Sequence, residues 1–427
     1  MKNTSEKKSI IFYGAGNEAR LHLAEWEAKG LIPTCFADMD GEKHYTKIRV
    51  KGGCCVDTVD YDILPLDVAL AKYPDYIIYV TVAPQNLMSV TEHLLAMKIP
   101  ADRISYAGSH YVGLGCEYLG KEFVLYKGVL TCAIAPLRYF GVEIMPDINA
   151  SYQQYRKRVD SFVLDNMRDQ PSLCKDCFKL RLGTWEIEPR LTAVNISSDP
   201  DDFCNSQCVY CEKYPNPTSD NRRKYILDTM KYFTEMAAGE RFTFHISAGE
   251  MSISPYCDEA LRLICENENL YISIATNAIV FNQSITDALG TGRLSLMISL
   301  DSGTRETMKR VRGIDCFEQS IRNCGAYAMF LAHKTMLSLK FILMEGVNDN
   351  EADIRGFLDI VKNIGCVAVL STNWRFIDNG LSEHGRRMCF LFMCVCSENS
   401  LMFDYIDYYF HEKDRSYIED MRLEIQL

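Results

Sequence analysis

The chain has 427 residues, 48% of them hydrophobic and 24% charged, the balance of an ordinary globular protein with room for two domains and a connecting module. Its 46 Lys and Arg stand against 57 Asp and Glu, for a net charge of −11. That argues against a nucleic-acid partner, because binding a phosphate backbone needs clustered cations. No apolar run reaches the ~18–20 residues of a membrane helix, and the N-terminus leads into a strand rather than a secretion signal. A cytoplasmic location follows as the expectation. The 18 cysteines then read as thiols and metal ligands rather than disulfides.

The first predicted elements alternate. An apolar strand at 10–13 runs into Gly14-x-Gly16-x-x-Ala19, and an amphipathic helix covers 20–29. A second strand at 34–37 ends in Asp38, with Asp40 close behind. A helix at 66–72, a strand at 76–82 and a helix at 87–97 continue the pattern. In a Rossmann unit the glycines allow a tight turn, the helix N-terminus faces a phosphate, and an acid after the second strand takes the ribose hydroxyls. Gly14, Gly16 and Asp38 are therefore candidate nucleotide-binding residues. The glycine turn, the short hairpin at 48–53 and the strand at 76–82 resemble the nucleotide-sugar-binding domain found beside bacterial sugar-modifying enzymes. That resemblance covers about 8–108 and implies a parallel α/β fold, with either a nucleotide-sugar site or a docking role.

Residues 109–188 read as a connecting region, with a short strand at 123–126 and a helix at 151–168. They hold a Cys174-x-x-Cys177 pair. Two thiols are half of an auxiliary metal site, and Cys389, Cys394 and Cys396 could complete it only if the fold gathers them. Plain packing of these thiols is the simpler alternative.

The stretch Phe203-Cys204-Asn205-Ser206-Gln207-Cys208-Val209-Tyr210-Cys211 organises the rest. Thiolate sulfur suits iron–sulfur clusters and zinc. A cubane usually takes four cysteines, and the next one downstream, Cys257, is too far along to share this loop. Three ligands leave one iron open. A structural zinc site would need a fourth protein ligand, and no suitable pair follows. The C-x3-C-x2-C spacing, with Tyr210 before the third cysteine, resembles the radical S-adenosylmethionine (radical SAM) superfamily. The resemblance implies a [4Fe–4S] cluster on Cys204, Cys208 and Cys211, with S-adenosylmethionine (SAM) on the open iron.

Six strand–helix repeats follow, with strands at 191–197, 242–247, 270–276, 294–300, 337–343 and 367–370. They predict a partial (β/α)6 barrel of the TIM type over 189–375, with working residues at the strands' carboxyl ends. Polar residues do gather there. Ser247-Ala248-Gly249-Glu250 is similar to the superfamily's Gly-Gly-Glu, with Ala248 a departure, and implies contact with the methionine ammonium. Thr276-Asn277-Ala278 resembles its Thr-Asn-Gly. Ser299 and Asp301, followed by Arg310, Arg312 and Gly313, match positions that touch the ribose or the methionine carboxylate. Glu345 to Asn350 resembles the segment beside the adenine. The SAM-binding candidates are thus Tyr210, Ala248, Gly249, Glu250, Asn277, Ser299, Asp301 and Arg312. Separately from any resemblance, each also has a plain reading as a helix cap, a turn residue or a surface charge.

The extension 376–427 holds His384 and Tyr405, Tyr408 and Tyr409, and reads as a cap on the barrel; no catalytic residue is assigned. The expected activity is reductive cleavage of SAM and hydrogen abstraction from a sugar or nucleotide-sugar substrate. It requires an external one-electron donor such as a flavodoxin or ferredoxin. Peptide modification is the second enzymatic reading. A non-catalytic iron–sulfur or zinc sensor and a nicotinamide-dependent oxidoreductase are the rivals of other kinds.

Overall fold

The computed structural model describes the chain except residues 1–7, 52–57, 127–128, 133–140, 144–146, 168–176, 178, 198–202, 212–219, 248, 374–377 and 426–427. Two units emerge, one made of 1–120 and 156–190, the other of 121–155 and 191–427. The stretch read as a connector is therefore shared between them. Pairing between distant strands decides this, and no local pattern announces it.

In the first unit, β1 (Ser9–Tyr13), α1 (Asn17–Ala28), β2 (Cys35–Ala37), β3 (Lys47–Lys51), β4 (Thr58–Leu64), α2 (Leu66–Lys72), β5 (Tyr76–Val80), α3 (Leu87–Ala96) and β6 (Ile104–Tyr106) succeed one another. The sheet order is β3-β4-β2-β1-β5-β6. All neighbours are parallel except β3, which runs against β4 as the outer arm of the hairpin. Successive strand residues face opposite ways. Ile11 and Tyr13 join a core with Leu66, Leu87 and Leu94 of α2 and α3, while Phe12 packs with Leu23 and Trp26 of α1. Both faces are covered, which is why β1 and β5 are near-continuous apolar runs. β7 (His110–Gly115) pairs antiparallel with a later strand described below.

The chain then forms β8 (Glu122–Tyr126), β9 (Val129–Cys132), β10 (Gly141–Glu143) and α4 (Ile148–Met167), and the division between units falls within α4. β11 (Arg181–Glu186) is the partner of β7. There Trp185 lies where a Cβ on residue 115 would come within 2.5 Å of its ring, so Gly115 makes the space.

The second unit continues through β12 (Ala193–Ile196), α5 (Asp220–Ala237), β13 (Phe242–Ile246), α6 (Cys257–Glu266), β14 (Leu270–Thr276), α7 (Gln283–Gly290), β15 (Leu294–Ser299) and α8 (Arg305–Arg312). α9 (Phe317–Ala328), β16 (Leu337–Leu343), α10 (Glu351–Ile364), β17 (Val367–Thr372), α11 (Glu383–Glu398), β18 (Phe403–Tyr405) and α12 (Glu412–Ile425) complete it. Among the described residues the sheet order is β10-β9-β8-β12-β13-β14-β15-β16-β17-β18. β8 and β12 through β18 are parallel throughout. The six expected strands are thus present, extended on one side by β8 and its antiparallel neighbours and on the other by β18. Phe242, Phe244, Ile272, Leu296 and Phe341 are fully or almost fully buried on one face. That face meets the helices: Phe233 of α5 stacks on Phe242, and Phe341 meets Phe357 of α10 and Phe392 of α11. No helix of the described residues is long and apolar enough to cross a membrane.

Candidate metal centre and its surroundings

The cysteine loop is strapped to two strand ends and one helix. Glu250 N donates to Phe203 O at 2.9 Å after β13. Asn277 Nδ2 donates to Asn205 Oδ1 at 2.7 Å after β14. Gln207 N and Val209 N each donate at 3.0 Å, to Arg312 O and Val311 O of α8. α8 ends at Gly313 in the left-handed region (φ 72°), where a Cβ would meet the backbone of Gln207 at 3.2 Å. Glycine is the residue that both the turn and the close approach require.

Cys204 and Cys208 bracket Ser206, whose Oγ lies 3.4 Å from each sulfur. Cys208 is buried, Cys204 partly buried and Cys211 exposed. Burial pushes the Cys204 thiol up, and Ser206 pulls it back down. Among the described residues, no group of three or more His, Cys, Asp or Glu is arranged to hold a metal ion.

Behind the loop lies a buried ion pair. Asp301 is wholly buried with φ 61°, and its Oδ2 accepts from Arg312 Nη2 at 2.6 Å and from Tyr210 Oη at 2.7 Å. Ile342 N donates to its other oxygen at 3.2 Å. Arg312 also donates through Nη1 to Cys208 Sγ at 3.2 Å and to Ser299 O. Burial pushes the Tyr210 phenol well above its usual value, reinforced by Asp301. Burial works against the Arg312 charge, but Tyr210, Asp301 and Cys208 hold it firmly protonated. The loop that carries Asp301 is set by Gly303. A Cβ there would lie 2.2 Å from the backbone of α10, and Ser302 Oγ donates to Asp353 Oδ1 at 2.7 Å beside it.

Glu250 is also buried. One oxygen accepts from Ser252 N at 3.0 Å, Ser252 Oγ at 2.7 Å and Thr276 Oγ1, and the other from Asn277 N at 2.7 Å. Asn348 Nδ2 donates at 2.8 Å to both Asp301 O and Ile342 O, and its Oδ1 accepts from Met344 N at 2.7 Å. Glu250, Asp301, Arg312 and Asn348, expected as direct SAM contacts or neighbours, thus spend most of their bonding on joining the strand ends to one another. Ser299 meets Arg312 through its carbonyl. Gly249 has positive φ (56°) next to Glu250, while Ala248 lies outside the described residues. Asn205, Ser206 and Thr276 belong to the same network; Thr276 was marked in the sequence only as part of Thr276-Asn277-Ala278, and Asn205 and Ser206 only as members of the cysteine loop. A hydroxyl or amide two residues from a ligand was the available cue.

The remaining candidates lie elsewhere. Cys177 is partly buried, and Cys174 lies outside the described residues. Cys389 and Cys396 are wholly buried in α11; burial raises both thiols, Cys396 to about 12. His384 is exposed, with Nε2 2.8 Å from Asp349 O. At the glycine turn, a Cβ on residue 14 (φ 113°) would press on Val82 at 2.7 Å. Asp38 is turned inward: its Oδ2 accepts from Ala15 N at 2.7 Å and Lys43 Nζ at 3.1 Å, its Oδ1 from Asp40 N at 2.9 Å. Burial raises this carboxyl, but those donors outweigh it and hold it below its ordinary range. Nearby, a cleft of about 300 Å³ runs along α1, lined by Glu18, His22, Trp26, Thr81 and His110.

Residues 200–358 match the profile of the radical SAM superfamily. That match covers less than half of the chain. The chain is also similar to two GTP 3′,8-cyclases. That of Chlorobaculum tepidum is 23% identical over 187 residues, 43% of this chain and 55% of the relative. That of Pasteurella multocida is 25% identical over 168 residues, 38% and 48% of the respective lengths. The chain spans about half the length of these curated relatives. Among solved structures, Streptococcus suis SuiB bound to precursor peptide SuiA is similar with a TM-score of 0.42 and 12% identity, covering 62% of this chain and 55% of that one.

The residues of the matched segment fit the cofactors that the radical SAM superfamily implies. Three thiols on one loop would supply the sulfur ligands. Arg312 already donates to one of those sulfurs, as a thiolate would demand. Its Nε is buried without a partner, an unmet donor at the site.

Proposed function

We propose that the chain is a radical SAM enzyme whose Cys204, Cys208 and Cys211 hold a [4Fe–4S] cluster with one iron open to SAM. When bound, that pair supplies one-electron cleavage of a carbon–sulfur bond, yielding a 5′-deoxyadenosyl radical that abstracts hydrogen from the substrate. The single observation that carries the reading is the loop itself: three cysteines fastened to the ends of β13 and β14 and to α8, with a buried cation on one sulfur. The protein's own part is to hold and orient. The Arg312–Asp301–Tyr210 cluster fixes the loop from behind, and Glu250 ties β13 to β14 so that the backbone around Gly249 and Asn277 stays in place. The parallel strands β12 to β17 support a partial barrel whose strand ends present the site, and the sheet of the first unit supports a Rossmann-like order. We place the enzyme in the cytoplasm, with a flavodoxin- or ferredoxin-like electron donor.

For the substrate, a small molecule is the first reading. The two relatives are named for a nucleotide, GTP, and the first unit resembles nucleotide-sugar-binding domains, so a sugar or nucleotide-sugar remains our specific proposal. The test is formation of 5′-deoxyadenosine by anaerobically reconstituted protein given SAM and a strong reductant. Product that disappears on replacing the three cysteines by Ala is expected. A protein that carries a reducible cluster and yields none would be a sensor instead.

A further inference from the structure

The first unit holds a cleft that neither the glycine turn nor the cysteine loop uses. It has a volume of about 300 Å³ and lies between α1, the carboxyl end of β5 and the segments that follow β6 and β11. Neither Gly14, Gly16 nor Asp38 lines it. Its floor is apolar, with Val80, Leu87 and Trp26 each at most 3% exposed. One wall follows from the spacing along α1. Residues three and four apart share a helix face, so Glu18, His22, Glu25 and Lys29 stand in a row along the cleft. Glu188, after β11, completes the rim and lies near Lys29. At the small end of the ~300–1,000 Å³ range of ligand pockets, this cleft suits one sugar ring rather than a whole nucleotide.

Two features of the cleft are left open by the chain. The first is a buried donor. Trp26 is 3% exposed and meets Phe12 edge-on with centroids 5.6 Å apart, yet its indole N–H makes no hydrogen bond among the described residues. A buried indole N–H usually finds an acceptor. The second feature is the charge. Glu18, Glu25 and Glu188 line the cleft, and the lysine beside them is already spent, because Lys29 Nζ donates to Glu25 Oε1 at 2.7 Å. Glu188 makes no hydrogen bond or ion pair among the described residues. His22 lies 3.6 Å from Glu18 and 3.5 Å from Glu25, with its ring tilted 31° to that of Trp26 at 5.9 Å. His110 is held by Ser109 Oγ at 3.0 Å. A phosphate here would meet like charges and no unspent lysine. An ammonium would meet carboxylates, and the indole N–H needs a neutral oxygen acceptor beside it.

We propose that this cleft binds an amino sugar, with the ammonium on the carboxylate rim, a hydroxyl or ring oxygen accepting from Trp26 Nε1, and no phosphate. The choice of ligand rests on the sugar reading above and removes the nucleotide from it; nothing at the cysteine loop enters. The test is calorimetry on the full, anaerobically reconstituted chain with four probes: glucosamine, N-acetylglucosamine, uridine diphosphate and N-acetyl-lysine methylamide. Glucosamine is expected to bind. N-acetylglucosamine, the same ring without the charge, should bind ~tenfold more weakly or worse, as for the loss of a charge-assisted hydrogen bond, and uridine diphosphate should not bind. The Glu18→Gln/Glu188→Gln chain should melt as the wild type does and hold glucosamine ~tenfold more weakly. No binding of glucosamine, tighter binding of uridine diphosphate, or equal affinity in that variant overturns the proposal. So does a lysine derivative that binds more tightly than glucosamine, since the cleft would then dock a basic peptide. The chain with Cys204, Cys208 and Cys211 replaced by Ala should bind glucosamine as the wild type does, and a loss there would place the amine at the cysteine loop and overturn the proposal too. The two readings therefore fail separately. A wild type that binds the amine yet makes no 5′-deoxyadenosine sinks the enzymatic reading alone, and one that makes it without binding the amine sinks only this one.

Discussion

The glycine turn of the first unit and the cysteine loop of the second invite comparison, because each follows the first strand of its sheet's α/β alternation. At the turn, capacity is spent internally. Asp38 closes on Ala15 N, and Thr81 Oγ1 donates to Gly14 O at 2.8 Å. At the cysteine loop the framework is equally tight, but Arg312 Nε is left unpaired and three thiols share one short loop. A motif that satisfies itself marks a fold; one that leaves donors and ligands over marks a site for something not yet bound.

That contrast can be broken first at the thiols. Replacing Cys204, Cys208 and Cys211 by Ala is expected to abolish iron incorporation and 5′-deoxyadenosine formation while the far-ultraviolet circular dichroism persists. Parallel loss of secondary structure would make the thiols structural. Next is the ion pair. Arg312→Met leaves Asp301 buried and uncompensated, so urea unfolding should show a loss of about 3–5 kcal/mol; a loss below 1 kcal/mol would mean the pair is dispensable.

At the glycine turn, Asp38→Asn should cost on the order of 1 kcal/mol and leave iron content unchanged. The sign follows from the lowered carboxyl: its contribution is present above the unfolded value near 4 and fades as pH falls through the folded one. Wild type and variant melting curves should therefore begin to converge as pH falls below the unfolded value and meet once it is below the lowered folded one, and a gap that never narrows would show the carboxylate charge to be irrelevant. The smallest effect is expected at Lys340, partly buried in β16. In the metal-free protein Lys340→Met should raise stability by about 1 kcal/mol, or roughly 2–4 °C, because it removes a charge that burial works against. The lysine pKa is lowered on folding, so the wild type gains stability as pH rises toward the free lysine value near 10, and the advantage of Met should shrink there. An advantage independent of pH would point to packing rather than charge.

Much of this arrangement is legible in the sequence, and the exceptions have physical causes. β14 and β16 announce themselves through alternating Leu and Ile, and the three cysteines through spacing. α8 was hidden because Arg305-Glu-Thr-Met-Lys-Arg-Val-Arg312 offers only Met308 and Val311 as an apolar stripe; its stability comes from docking on the cysteine loop. β8 was placed in a connector because its pairing with β12 joins residues about seventy apart, which local periodicity does not encode. Glu250 and Asp301 were identified as important, yet their inward bonding depends on the left-handed turns at Gly249 and Asp301, and an aspartate signals such a turn far more weakly than glycine does. Lys340 was not singled out in the sequence, and only the register beside Ser299 gives it a place.

The most direct test of the central claim is electron paramagnetic resonance of the reduced, reconstituted protein with and without SAM. Three protein ligands and an open iron require the signal to shift when SAM is added and to revert when it is removed. A reduced-cluster signal indifferent to SAM would mean that a fourth protein ligand closes the site, and would contradict the account.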